Sequence, residues 1–328
     1  MKFLMFNNKN LENTILSKLQ SINYFILLLI LMLFTVGLIA LYSISNGEFY
    51  SWPVKHLQRF IVGLVIFFVI ILFDLRILFS YAYVIFILSI AALVFTPLFG
   101  IESNGATRWI SIAGISLQPS EFVKYTLVLA LAKYFHSIND KDNNLFKTLF
   151  IPMIITLVPV LLVIIQPDLG TALIILLGGL SIFWISGLNY KYFLIGLMTV
   201  ICSLPLLWQY LKDYQKDRVF TFFNPERDPL GNGYHIMQSK IALGSGGLFG
   251  KGYMDGTQSH LNFLPEMQTD FIFTVLGEEF GFIGTLILII IYASLIMVSI
   301  RMALSNRSLF SKYLSLGVCN VFFIYVFV

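Results

Sequence analysis

The chain has 328 residues, of which 58% are hydrophobic and only 12% are charged, and its formal net charge is +4. Soluble domains have roughly a quarter of their residues charged, so this composition excludes an ordinary soluble protein. The small charge does not indicate a nucleic-acid partner, and the cysteines Cys202 and Cys319 offer neither a disulfide framework nor a metal site.

Apolar segments of about twenty residues recur along the whole chain, and each is long enough to cross ~30 Å of hydrocarbon as a helix. The sequence therefore predicts an all-α polytopic membrane protein that forms a single integral membrane domain over residues 1–328. The predicted spans are Ile22–Tyr42, His56–Phe73, Leu78–Leu98, Glu121–Phe135, Phe150–Ile165, Leu169–Ile185, Tyr192–Trp208, Phe271–Ile300 and Tyr313–Val328.

The lysines and arginines between these spans predict the orientation of the chain. With the N-terminus in the cytoplasm, eleven of them lie in cytoplasmic segments and four lie on or near the short outer loops. No small-residue cleavage site follows the first span, which predicts an uncleaved anchor rather than a signal peptide. This orientation places the long polar segment 210–270 outside the cytoplasm.

Ionisable residues collect at the outer ends of the predicted spans, where a charge is usually paired or functional. Arg59 begins the second span, Arg108 precedes Trp109 in a segment expected to lie against the headgroups, and Glu121 and Lys124 begin the fourth span. Taken alone, Arg59 fits a snorkelling side chain and Glu121 and Lys124 fit an ordinary i,i+3 ion pair. Together, the three cations also fit the binding of an anionic lipid headgroup.

Asp168 lies where the sixth span begins, in the sequence Gln166-Pro167-Asp168-Leu169-Gly170-Thr171. An aspartate at this position is a good helix N-cap, because its carboxylate accepts hydrogen bonds from free backbone N–H groups. The same carboxylate can also pair with an arginine across a cavity, and the two roles are compatible.

The long segment 210–270 contains an amphipathic stretch followed by a glycine-rich run. Residues Tyr234–Leu243 predict a short helix lying on or dipping into the outer leaflet. The run Gly244–Gly252 is superficially similar to a phosphate loop, but Gly252 follows Lys251 where the Walker pattern needs Ser or Thr. We therefore predict a flexible or closely packed backbone there.

Asp270 lies at the outer threshold of the eighth span and is the strongest candidate for a reactive group. Capping of the helix is the structural alternative. A carboxylate at this position can also act as a general base. Glu278 and Glu279 lie about two turns further on, and at least one of them should line an interior or pair with a cation.

Long motifs of this chain closely resemble those of the SEDS family (shape, elongation, division and sporulation). Residues Lys251-Gly252 and Gly256-Thr257-Gln258 resemble its RodA-like elongation branch rather than its division branch. The matching residues are Gln58–Arg59, Arg108–Trp109, Gln118–Glu121, Gln166–Thr171, Asn224–His235, Gln238–Gly247, Gly250–Gly252, Gly256–Gln258, Leu264–Glu266, Thr269–Phe271 and Glu278–Glu279.

The resemblance implies a ten-span peptidoglycan glycosyltransferase of the bacterial inner membrane that polymerises lipid II, a disaccharide-peptide on undecaprenyl diphosphate. It implies that Asp270 is the catalytic carboxylate. We predict that Asp270 is the general base, and a role as an electrostatic anchor stays open. The predicted substrate-binding residues are Arg59, Arg108, Glu121, Lys124, Asp168, Gln215 and Arg218, in which the outer-face cations bind the diphosphate. The ninth predicted span reaches Val328, so we expect nine spans here against the ten of the family pattern.

The resemblance also implies a class B penicillin-binding protein as partner, together with the elongation machinery that maintains rod shape. No cofactor motif is present, and a divalent cation, Mg²⁺ or Mn²⁺, is left open as a companion of the diphosphate. Two alternatives stay open. One is a lipid II flippase, although such transporters place their charges at the midplane of the membrane. The other is a non-catalytic scaffold for the penicillin-binding protein, which the missing span would favour.

Overall fold

The computed structural model describes residues 18, 20–103, 106–112, 115–138, 146–210, 213–228, 231–261 and 263–327. In this part of the chain a helix coincides with each predicted span. These helices are α1 (Tyr24–Ile44), α2 (Trp52–Leu72), α3 (Leu75–Phe99), α4 (Pro119–Ser137), α5 (Ile151–Ile165, after a π-helical turn at Phe146–Phe150), α6 (Leu169–Ile185), α7 (Tyr190–Tyr210), α11 (Ile272–Leu304) and α12 (Leu309–Phe327).

Three shorter helices lie in the long polar segment between α7 and α11. They are α8 (Asp213–Phe223), α9 (Asn232–Ser245) and α10 (Thr257–His260), with a 3₁₀ turn at Pro225–Arg227. The predicted amphipathic helix at Tyr234–Leu243 corresponds to α9. The segment is therefore helical in part rather than an open loop.

The all-α polytopic membrane fold is confirmed, and the number of spans stays a prediction. By length and composition, six helices among the described residues can cross a membrane: α1, α2, α3, α5 with its preceding turn, α11 and α12. The helices α6 and α7 include shorter apolar stretches. Helix α4 has 19 residues and includes Glu121, Lys124 and Lys133.

A small antiparallel sheet precedes α4, which the sequence analysis did not predict. Its strands are β1 (Ile101–Ser103), β2 (Ala106–Ile112) and β3 (Ile115–Leu117), in the order β1-β2-β3. Thr107 pairs with Glu102, and Ile110 pairs with Leu117. The sheet fixes Arg108 on its central strand and ends just before Pro119, whose fixed φ suits the first turn of α4.

The chain divides into two compact units, one of Met1–Leu72 and Gly196–Leu295 and the other of Phe73–Ile195 and Ile296–Val328. In the second unit α4 packs against α3, α5, α6 and α12, and its residues Val123, Leu127, Val128 and Leu131 are buried. A helix that is apolar on most sides belongs at the centre of a bundle. The unit therefore fixes the polar start of α4 by the packing of the rest of the helix.

In the first unit, the glycine-rich run packs against a break in α11. Gly281 has φ +66° and interrupts the helix. Just after the break, the Phe282 amide donates to the Gly247 carbonyl at 2.9 Å, and the Ile283 amide donates to the Leu248 carbonyl at 3.1 Å. A Cβ atom on Gly250 would collide with the Glu279 carbonyl oxygen. The sequence left open whether this run is flexible or closely packed, and in the structure it is closely packed against α11.

This packing predicts opposite effects of alanine at two glycines of the same segment. Gly250→Ala should lower the free energy of unfolding by about 2 kcal/mol or more, because φ there is +83° and the methyl group meets backbone. Gly244→Ala should instead stabilise by up to about 1 kcal/mol, because Gly244 is helical and has open space around it. Thermal unfolding of the purified variants in detergent measures both, and equal midpoints would contradict the docked arrangement.

Candidate functional site

Arg108 is bound in place by the connection between α5 and α6. Its Nε donates to the Gln166 carbonyl at 3.1 Å and its Nη2 to the Pro167 carbonyl at 2.5 Å, while Nη1 lies 3.9 Å from the Asp168 carboxylate. These carbonyls follow the C-terminus of α5, where the helix dipole favours a cation. The side chain is 32% exposed. The arginine is thus fixed in direction yet accessible to an anion.

Asp168 both caps α6 and faces Arg108. Its Oδ1 accepts from the Thr171 amide at 3.2 Å, and its Oδ2 accepts from the Thr171 hydroxyl at 2.9 Å. The Gln118 side-chain amide donates to Oδ2 at 3.3 Å. The contact at 3.9 Å to Arg108 is therefore one of several. The Asp168 carboxylate connects the start of α6, the start of α4 and the arginine through polar contacts.

Glu121 and Lys124 form an ion pair at the start of α4, and Tyr325 of α12 joins it. The Lys124 ammonium lies 2.7 Å from Glu121 Oε1 and also donates to the Tyr325 hydroxyl. That hydroxyl lies 2.7 and 2.6 Å from the two Glu121 oxygens and donates its single proton to this carboxylate. The chain of donors runs from lysine through tyrosine to carboxylate.

The exposure of these three residues differs in a way that limits their roles. The Lys124 side chain is fully buried, whereas Glu121 is 42% exposed. A buried ammonium is costly unless it is paired, so its two partners account for its presence. In this arrangement Lys124 does not reach solvent, whereas Glu121 and Tyr325, which is 39% exposed, are the members of the cluster that an incoming group can touch.

Asp270 lies in the other unit, on the turn that leads into α11. Its amide donates to the Glu266 carbonyl at 3.0 Å. Leu264, Met267 and Val275 form a small buried cluster around this turn. The side chain of Asp270 is exposed and accepts no hydrogen bond from the described residues. The turn is anchored while the carboxylate faces outward, which suits a group that must meet a substrate.

Arg59, Gln215 and Arg218 belong to the same unit as Asp270. Arg59 is exposed on α2 and forms no ion pair with the described residues. Gln215 is half-buried on α8, and the side chain of Arg218 lies outside the described residues. Within the described part of the unit, no hydrogen bond or ion pair joins Arg59 to Asp270.

The two buried carboxylates of α11 have different partners, and that of Glu278 is bound to Lys251 of the glycine-rich run. Glu278 Oε1 lies 2.7 Å from the Lys251 ammonium and accepts from the Thr257 hydroxyl at 3.1 Å and the Gln258 amide at 3.0 Å. Glu279 accepts from the Ser43 hydroxyl. The expectation that at least one of these glutamates pairs with a cation is met by Glu278.

The sequence analysis missed Tyr325 and Lys251 as partners of predicted polar residues. Tyr325 is a single tyrosine in an apolar helix, and its contact to Lys124 joins residues 201 positions apart. The signal for Lys251 was present in the sequence, because a lysine in a glycine-rich run and two adjacent glutamates within a span each need a partner of opposite charge or a polar partner. Among the described residues, no group of three His, Cys, Asp or Glu side chains could bind a metal ion.

Comparison with protein families and curated proteins gives consistent matches over most of the chain. The profile of the FtsW/RodA/SpoVE family, described as cell cycle protein, matches residues 20–328. The peptidoglycan glycosyltransferase MrdB of Escherichia coli K12 is 39% identical over 303 residues, which cover 92% of this chain and 81% of MrdB. Stage V sporulation protein E of Bacillus subtilis is 30% identical over 331 residues, covering 95% and 87%.

Two solved structures have the same fold. A chain from a study of how a peptidoglycan synthase complex coordinates polymerization and crosslinking aligns with a TM-score of 0.79 and 27% identity, covering 93% of this chain and 85% of that one. The rod shape determining protein RodA of Thermus thermophilus aligns with a TM-score of 0.66 and 25% identity, covering 94% and 83%.

Proposed function

This chain belongs to the FtsW/RodA/SpoVE family of cell cycle proteins, and we propose that it is a peptidoglycan glycosyltransferase that polymerises lipid II into glycan strands. The observation that carries the proposal is the 39% identity to MrdB, a protein named for this activity, across 92% of the chain. Because so much of the chain matches, the polar residues described above belong to the shared part.

The proposed reaction is glycosyl transfer from a lipid diphosphate. An acceptor hydroxyl attacks the anomeric carbon of the donor sugar, and the proton of that hydroxyl passes to Asp270. The bond between the anomeric carbon and the diphosphate oxygen breaks, and the lipid diphosphate leaves with the electron pair. The exposed Asp270 carboxylate, on an anchored turn, supports its role as the base.

The leaving diphosphate needs positive charge nearby. The predicted cations differ in how much of each side chain is exposed to an incoming anion. Arg108 is partly exposed and fixed by three contacts, so it can bind an anion without first being ordered. Arg59 lies in the unit that contains Asp270, and its long side chain is exposed, so it can also contact an anion. Lys124 is buried, so we assign it to orienting Glu121 rather than to direct contact with the diphosphate. A divalent cation would need oxygens of the diphosphate among its ligands.

We also propose the cellular setting. The fold is that of a multi-pass membrane protein, and the excess of Lys and Arg in alternate loops supports an inner-membrane location with a cytoplasmic N-terminus. The similarity to a chain of a peptidoglycan synthase complex supports a class B penicillin-binding protein as partner. The match to MrdB and RodA supports a role in cell elongation and rod shape.

The contact of Tyr325 with Glu121 and Lys124 predicts a measurable effect on polymerisation. Tyr325→Phe should lower kcat/KM for lipid II by about tenfold, since it removes a hydrogen bond to a charged group worth about 1.5 kcal/mol or more. Tyr81→Phe is the matched control, because Tyr81 is exposed on α3 in the same unit. If both variants polymerise like the parent, the tyrosine has no part in positioning.

The direct test of the proposed function is polymerisation of lipid II by the purified chain. The assay includes the partner penicillin-binding protein, whose own activities are blocked, and the products are separated by length on a gel. We expect glycan strands that depend on this chain. The absence of strands, with transbilayer movement of fluorescent lipid II in proteoliposomes, would overturn the proposal in favour of a flippase.

A further inference from the structure

The turn between α9 and Lys251 exposes two large apolar side chains that the proposed reaction does not use. Leu248 is 63% exposed and Phe249 is 79% exposed. Residues 241–250 contain no charged side chain, although they lie within the polar segment 210–270. The nearest cation along the chain, Lys251, points inward to Glu278. The tip of this turn is therefore apolar without interruption.

Part of the backbone of the turn is hydrogen-bonded to α11. The Lys251 amide donates to the Glu278 carbonyl at 3.0 Å and the Gly252 amide to the Glu279 carbonyl at 3.2 Å, next to the two bonds that Phe282 and Ile283 donate to the turn. Non-helical backbone is tolerated at membrane depth only where protein pairs its polar groups. The Gly247 and Leu248 carbonyls and the Lys251 and Gly252 amides meet that condition.

The position of the turn along α11 places it at the edge of a membrane span. After the break at Gly281, residues 282–304 form a helix ~35 Å long, which on its own crosses the hydrocarbon. Phe282 and Ile283, which pair with the turn, begin this helix and are exposed. Leu248 and Phe249 thus continue the apolar surface that the spanning part of α11 presents to lipid.

We propose that Gly246–Gly250 is a membrane-anchoring turn whose tip, Leu248 and Phe249, inserts among the acyl chains of the bilayer beside the start of the spanning part of α11. The occupant of this apolar surface is lipid, because the surface is continuous with that of a membrane-spanning helix. The glycines permit the close approach to α11, and four backbone hydrogen bonds hold the turn against that helix. The turn in this way fixes the depth of α11 relative to the membrane.

The experiment measures the environment of a fluorophore on the full chain in lipid nanodiscs. In a background with Cys202→Ala and Cys319→Ala, the environment-sensitive dye NBD is attached at Phe249→Cys or Leu248→Cys. The lipid reference is Ile290→Cys, on the exposed face of the spanning part of α11, and the water reference is Glu226→Cys, on the exposed 3₁₀ turn. Quenching is measured with doxyl-labelled phosphatidylcholine in the nanodisc and with iodide in the buffer.

We expect emission at both turn sites to be blue-shifted and quenched by doxyl lipid as at the Ile290 site, severalfold more than at the Glu226 site. Quenching by iodide, as at the Glu226 site, would place the turn in water and overturn the proposal. A blue shift without quenching by either agent would place the turn against protein, a second copy or a partner, and would equally overturn it. The readout does not depend on catalytic activity.

Discussion

Asp270→Asn should abolish glycan polymerisation, with at least about a 100-fold loss of rate, the lower end of what a positioned general base contributes. The asparagine has the shape of the aspartate but cannot take the proton of the acceptor hydroxyl. The turn is anchored by the buried side chains of Leu264, Met267 and Val275. Asp270 is exposed and is not one of them, so the exchange should leave folding intact. The measurement is strand formation from lipid II with saturating partner, at matched protein concentration.

The matched control is Glu266→Gln, which neutralises an exposed carboxylate on the same turn. Glu266 accepts a hydrogen bond from the Gln268 side chain at 2.6 Å, and a glutamine can still accept it. We expect this control to polymerise within about twofold of the parent, since exposed substitutions rarely matter. Equal activity of Asp270→Asn and the parent would rule out Asp270 as the base and leave it an anchoring role at most.

Helices of this fold are predictable from the sequence because hydrocarbon demands long apolar runs. The predicted span Leu78–Leu98 and the helix Leu75–Phe99 differ only at their ends, where capping by Asp74 fixes the start. The three strands before α4 were not predicted, since their pairing is set by turns and by the neighbouring helix rather than by hydrophobicity. The break at Gly281 is equally local, and a glycine in an apolar run does not by itself indicate a kink.

Polar contacts between residues close in sequence were predicted, whereas those between residues far apart in sequence were not. The pair Glu121–Lys124 and the cap by Asp168 are local, so spacing alone predicts them. The link from Lys124 to Tyr325 and that from Lys251 to Glu278 join residues that are remote in sequence, and only the packing of helices brings them together. The burial of Lys124 was not predicted either, because it follows from the central position of α4 in its unit.

Removing one partner of the ion pair between Lys251 and Glu278 should destabilise its unit strongly. Lys251→Met should lower the free energy of unfolding by about 3 kcal/mol, because it leaves the fully buried Glu278 carboxylate without its cation. The loss should be smaller for Glu278→Met, because the Lys251 side chain is a quarter exposed and its ammonium can turn to water. Thermal and denaturant unfolding in detergent measure both.

Two comparisons separate this ion pair from a general effect of losing charge. Lys240→Met removes an exposed lysine from α9 of the same segment and should change stability by less than about 0.5 kcal/mol. The double variant Lys251→Met with Glu278→Met should be more stable than Lys251→Met alone, because the buried Glu278 charge is then removed together with its cation. Strict additivity of the two single losses would show that the lysine and the glutamate do not interact. The glycine-rich run would then be attached to α11 by its backbone hydrogen bonds and glycine packing alone.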